Sequence, residues 1–249
     1  MKIFHRSLLV GLVFAMGCQA EEETIPGGSA GTTAREKFAE ARLQMVATQL
    51  QGRGRNITNE QVLAAMGRVP RHELVPEGIR DLAYGDHPLP IGHGQTISQP
   101  YIVAFMTQAL EPQSAHRVLE VGTGSGYQAA VLAELVKEVY TIEIVEPLGR
   151  RAQTDLARLG CTNVFVRIGD GYEGWPEKAP FDAVIVTCSP DHIPRPLIDQ
   201  LANGGQMIIP VGNTWRGQNL MLLRKEGTEV IRKSVLPVRF VPMTGKAEE

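Results

Sequence analysis

The stretch RVLEVGTGSGY, Arg117 to Tyr127, decides the fold. Arg117 to Val121 is a short, mostly apolar run bounded by polar residues, the pattern of a buried strand. Gly122, Gly124 and Gly126 then make a turn whose backbone can approach a ligand closely. The residues from Tyr127 to Leu135 read as a helix. A strand passing through a glycine-rich turn into a helix is the opening unit of an open α/β sheet.

Downstream the alternation continues. VYTIEI reads as a second strand, Glu146 to Leu159 as a helix stopped by Gly160, NVFVRIGD as a third strand and FDAVIVTC as a fourth. IPRPLIDQL reads as a short helix stopped at Asn203-Gly204-Gly205, and QMIIPVG as a fifth strand. NLMLLRKEG, TEVIRKSVL and VRFVPM read as late antiparallel strands around Gly227. The class is α/β: a mostly parallel central sheet with helices on both faces. Upstream lies a helical segment. Ala34 to Gly52 has helical spacing, and Thr58 with Gln61 reads as a capping box opening a second helix. Tyr84 to Gly94 reads as turns, and Tyr101 to Leu110 as a helix entered through Ser98 or Gln99, with Pro100 in its first turn.

In such a sheet ligands bind outside the C-terminal strand ends, at the switch point between the first and fourth strands. The turn is GxGxG, and Tyr127 stands where a dinucleotide fingerprint needs its last glycine. Glu120 beside the turn is unwelcome next to a pyrophosphate. It suits a positively charged ligand group such as the amine of a methionine moiety, which points to S-adenosyl-L-methionine. Glu143, ending the second strand, can accept from ribose hydroxyls. Asp170, in IGDG after the third, can accept from an adenine amine, with Gly171 leaving room for the ring. The run GHGQTISQPY, Gly92 to Tyr101, carries Gln95, Thr96, Ser98 and Gln99 between apolar flanks. It admits a nucleophile site, a phosphate cradle, a substrate clamp or a helix cap. His93 reads as a solvated loop residue, and the scattered histidines have no metal-ligand spacing.

The chain has 249 residues and a formal net charge of -2, with no long basic run, which argues against a nucleic-acid partner. MKIFHR followed by LLVGLVFAMG reads as a signal peptide over residues 1–20, too short to span a bilayer. Cys18, after Ala15-Met16-Gly17, resembles a lipoprotein box and would tether the protein to a membrane; the plain alternative is cleavage near Gly17 or Ala20. Residues 21–34 read as a flexible tether and 35–249 as the catalytic domain. Cys161 and Cys188 fall on the order of 15 Å apart at ~3.3 Å per strand residue, so two free thiols are expected.

The blocks AYGDHPLPIGHGQTISQPYIVAFMTQAL, VLEVGTGSGYQAAVLAEL, VRIGDGYEGWPEKAPFDAVIVT, LANGGQMIIPVG and VRFVPM resemble the bacterial protein-L-isoaspartate O-methyltransferases from about Met45 to Gly245. The resemblance implies a Rossmann-like methyltransferase fold with an N-terminal helical segment. It implies methyl transfer from S-adenosyl-L-methionine to the α-carboxyl of L-isoaspartyl residues in damaged proteins. A monomer is expected. Carried over residue by residue, the resemblance places the active-site serine at Ser98; Thr96 beside it, a second hydroxyl able to orient an acceptor carboxylate, and Gln95 are expected on the substrate side. The resemblance places the cofactor residues at Glu120, Gly122, Gly124, Glu143, Asp170 and Gly171. The chain departs from the family pattern at Ile144 and at Cys188-Ser189. The leader departs more: it predicts a periplasmic or envelope-tethered protein, the alternative being the cytoplasmic location of most of the family. Two other functions stay open at this point, a methyltransferase with a different carboxylate acceptor and a non-catalytic module that binds peptides.

Overall fold

A computed structural model of the chain describes residues 33–248, except 53, 214 and 216. The leader and most of the expected tether lie outside the described residues. Two short strands, β1 (Leu89–Gly92) and β2 (Gln95–Ile97), form an antiparallel hairpin. The remaining strands are β3 (Arg117–Val121), β4 (Glu138–Glu143), β5 (Val164–Ile168), β6 (Phe181–Val186), β7 (Leu201–Asn213), β8 (Gly217–Glu226) and β9 (Glu229–Val238). They form one sheet in the order β5-β4-β3-β6-β7-β8-β9. β5 through β7 are parallel, and β8 and β9 return antiparallel. The order reverses between β3 and β6, so the switch point falls at the glycine turn, where the sequence placed it.

The helices are α1 (Ala34–Met45), α2 (Glu60–Arg68), α3 (Pro100–Ala109), α4 (Tyr127–Ala133), α5 (Glu146–Arg158) and α6 (Arg195–Asp199). Strand alternation splits the core in two. Val118, Val139, Ile185 and Ile208 face α2, α3 and α4, and their cluster takes in Met45, Leu50 and Met66 of the N-terminal segment. Leu119, Val121, Ile142, Val184 and Ile209 face the other way, toward Leu197 and Phe181.

Five readings change. The first helix stays α-helical only to Met45 and continues as a π-turn over Val46–Leu50. Asn59, not Thr58, caps α2: its side chain accepts from the amides of Gln61 and Val62 at 3.0 and 3.1 Å. Both residue types suit that position, and the carboxamide one residue later takes it. The segment read as turns before Gly94 is the β1–β2 hairpin, too short for periodicity to show. β7 begins at Leu201, through the residues read as a helix stop. Leu201 pairs with Phe181 and Gln206 with Ala183, so a bulge at Ala202–Gly205 takes up the extra length. VRFVPM is not a strand beyond Val238; the chain leaves the sheet there and crosses the switch point, with a single bridge from Pro242 to Ser189.

Candidate active site

Three features meet at the C-terminal edge of β3: the glycine turn, the β1–β2 hairpin with the entry to α3, and the segment Val241–Thr244. They enclose a cavity whose walls include Gln95, Thr96 and Ser98 on one side and Glu120, Gly122, Gly124, Glu143 and Gly171 on another. Nine residues were expected at the site, and the structure brings these eight of them to one cavity. Asp170 stands just behind the wall. Its carboxylate accepts from the amides of Tyr172 and Lys246, each at 2.9 Å.

Glu120 is fully buried, and neither carboxylate oxygen has a hydrogen-bond partner among the described residues. Burial pushes its carboxyl up to about 8; the charge of Glu143 works in the same direction and the Thr141 hydroxyl against it. That hydroxyl is engaged with Thr123 at 2.6 Å. A buried carboxyl without partners is costly unless a ligand supplies donors or a positive charge. Glu143 is also buried. One of its oxygens accepts from Gly124 N at 2.7 Å and the other from Val145 N at 2.9 Å. Each oxygen keeps a further lone pair for a ligand hydroxyl. The backbone bonds fix the carboxylate and tie the end of β4 to the turn after β3.

The turn approaches β6 closely. A Cβ on Gly122 would lie 2.4 Å from Thr187 Oγ1. That hydroxyl donates to the carbonyls of Gly122 and Val121 at 2.6 and 3.0 Å. Gly171 has a packing reason besides the expected one: a Cβ there would meet Val121 Cγ1 at 2.4 Å. Orphaned buried acid, rigid second carboxylate and side-chain-free cradle fit the ammonium, ribose and nucleoside parts of S-adenosyl-L-methionine.

Ser98 does not cap α3. Gln99 holds the cap position, no side chain bonds there, and Pro100 opens the helix. The Ser98 side chain is thereby left to the cavity. A second cavity, of about 710 Å³, opens beside the first. Thr96, Ser98, Thr187, Val241 and Pro242 line both and form the partition between them.

The residues missed in the sequence are Thr187, Cys188 and the segment Val241–Thr244. Position just past the end of β6 was the signal for the first two; the crossing of the last segment had none. Cys188 and Cys161 are free thiols, as expected. Burial, with Glu143 and Asp170 nearby, pushes the Cys188 thiol up to about 12, so it stays protonated. Behind Tyr127, the buried Arg71 stacks with its guanidinium carbon 4.8 Å from the ring centre, and its Nε donates to Ala83 O at 2.7 Å. It fastens the helical segment to the floor of the cavity.

Comparisons with known proteins agree with this geometry. The family model described as protein-L-isoaspartate(D-aspartate) O-methyltransferase matches residues 41–248. A protein-L-isoaspartate O-methyltransferase of Polaromonas sp. is 58% identical over 195 residues, covering 78% of this chain and 92% of the relative. One from Synechococcus sp. is 55% identical over 218 residues, covering 84% of this chain and 88% of the relative. Among solved structures, a protein-L-isoaspartate O-methyltransferase superposes with a TM-score of 0.74 at 27% identity, over 84% of this chain and 67% of that one. A Plasmodium falciparum protein described as the same enzyme, in complex with S-adenosyl-L-homocysteine, gives 0.69 at 26% identity, over 82% of this chain and 98% of that one. The chain belongs to the protein-L-isoaspartate(D-aspartate) O-methyltransferase family.

Proposed function

We propose that the protein repairs isoaspartyl damage by transferring a methyl group from S-adenosyl-L-methionine to the α-carboxyl of L-isoaspartyl residues in peptides and proteins. One observation carries the reading of the site: a buried, unpartnered Glu120 and a backbone-anchored Glu143 lie across one cavity from Ser98 and Thr96. Bound in that cavity, S-adenosyl-L-methionine supplies a methyl group on a sulfonium, open to in-line attack. Glu120 takes the ammonium of the donor, Glu143 its ribose hydroxyls, and Gly122 and Gly124 let the backbone close on it. Asp170 takes the adenine amine from behind Gly171, sharing its carboxylate with the Lys246 amide. On the opposite wall Ser98 and Thr96, with Gln95 beside them, donate to the acceptor carboxylate and turn it toward the methyl carbon. That carboxylate, with a pKa near 4, is already ionised, so no general base is required. Catalysis rests on alignment and the exclusion of water. Neutral hydroxyls hold the nucleophile without quenching it, as a tight ion pair in the ground state would.

The test is transfer from labelled donor to an isoaspartyl peptide and to its aspartyl twin, in wild type and Ser98→Ala. Methylation of the isoaspartyl peptide alone is expected, with turnover lowered in the variant and donor affinity kept. Donor affinity lost with the hydroxyl would overturn the role given to Ser98. Tight peptide binding without transfer would favour a non-catalytic module, and methylation only of another extract component a different acceptor.

The leader supports a location in the periplasm or at the envelope, with lipid on Cys18 as tether. Mass spectrometry of the mature N-terminus checks both: a diacylglyceryl cysteine supports the tether, an intact Met1 the cytoplasmic alternative. We take the protein to work as a monomer; light scattering of the purified protein checks it.

A further inference from the structure

The two cavities that share the Ser98 partition differ in charge. Among the described residues, the ionisable acids lining the first are Glu120 and Glu143, and no cation lines it. Among the described residues, the second is lined by prolines, aliphatics, Phe240 and neutral polar groups, with a single formal charge, Arg239. The Arg239 side chain is exposed and has neither an ion pair nor a hydrogen bond among the described residues.

Its placement is built in. Val238 makes the last pair of β9 with Gln218. Beyond it the sheet stops, and the Gln218 side chain takes over: its Oε1 accepts from Phe240 N at 2.5 Å and its Nε2 donates to Phe240 O at 3.1 Å. Gln218 is itself buried. This clamp keeps the chain extended past the strand end. Val238 and Phe240 pack on the core, so alternation turns Arg239 away from it. A long cationic arm thus stands on a fixed backbone at the rim of the cavity that Ser98 and Thr96 open into.

We propose that Arg239 is a specificity-determining residue for the acceptor: it binds a second carboxylate, on an Asp or Glu flanking the isoaspartyl residue. This rests on the methyl-transfer reading above. The reacting carboxylate sits at the partition, held by neutral hydroxyls. An arginine at the exposed rim reaches instead the peptide on either side of it, where a flanking acid passes. The guanidinium fork suits a carboxylate. Its charge also attracts an anionic acceptor at longer range, so the effect weakens with salt.

The experiment uses three isoaspartyl peptides identical except for Glu, Gln or Lys next to the damaged residue. It measures kcat/KM with S-adenosyl-L-methionine, and peptide affinity by fluorescence anisotropy with S-adenosyl-L-homocysteine bound. An exposed ion pair is worth up to about 1 kcal/mol, so a preference of roughly three- to fivefold for Glu over Gln is expected, with Lys below both. In Arg239→Gln the Glu-to-Gln ratio falls to about one, and Arg239→Lys retains part of it. A ratio near one in wild type, or an unchanged ratio in Arg239→Gln, overturns the assignment. If no peptide is methylated the catalytic reading fails, and the affinity ratios still decide the role of Arg239.

Discussion

Glu120 is where residue chemistry has the sharpest consequence. Its carboxyl, ordinarily near 4.5, is pushed up to about 8 by burial. The folded, ligand-free protein therefore holds a proton on it that the unfolded chain loses above 4.5. This contribution to stability is fully present below that value and is lost as pH rises through about 8. Donor binding reverses the balance, because an ammonium beside Glu120 favours the carboxylate. Binding of S-adenosyl-L-homocysteine at neutral pH should release about one proton, and affinity should rise about tenfold per unit from about pH 6 to 8. Near pH 8 the ligand's own amine starts to deprotonate. Calorimetry in buffers of different ionisation enthalpy measures the proton. Glu120→Gln should abolish both the release and the slope; a slope that survives would place the ammonium elsewhere. The sequence marked Glu120 as out of place beside an anion. That neither of its oxygens finds a hydrogen-bond partner among the described residues could be known only from the structure.

At the scale of the element, the GTGSG turn separates two glycines that look alike in sequence. Gly122 has φ 97° and no room for a Cβ against Thr187, whereas Gly124 has φ 54°, and Ile91 Cδ1 would lie 3.4 Å from a Cβ there. Alanine at 124 takes a left-handed conformation at about 1–2 kcal/mol. Alanine at 122 adds a clash with a hydroxyl that holds β3 and β6 together, and should cost at least about 3 kcal/mol in all. Gly122→Ala is expected to lower Tm clearly and abolish donor binding, while Gly124→Ala remains folded with weakened affinity. Thermal melts with and without S-adenosyl-L-homocysteine compare the two. Equal effects would mean that Thr187 does not set the close approach. The elements themselves were legible because each strand and helix of the α/β part carries its own period. The hairpin, the bulge in β7 and the crossing segment were not, because a three-residue strand has no period and a bulge breaks one.

Over the whole molecule, the N-terminal helical segment and the sheet share one core. Leu50, fully buried in the π-turn, belongs to the same cluster as Val118, Val139 and Ile208 of the sheet. Leu50→Ala should destabilise the protein by about 2–5 kcal/mol. The loss should appear as one lowered transition, the same by circular dichroism and by the fluorescence of Trp175, which packs against the opposite face of the sheet. Two separated transitions would mean that the helical segment folds on its own. By itself, the sequence determined the α/β class, the switch point at Gly122 and the acids at three strand ends, because alternation of period and strand-end position are local properties of a chain. Only the tertiary structure decided that Asp170 sits behind the cavity wall, that Ser98 leaves the capping of α3 to others, and that Val241–Thr244 closes the site beside Arg239. Those are meetings of segments up to about 140 residues apart, fixed by burial and by scarce hydrogen-bond partners, and no pattern within one segment encodes them.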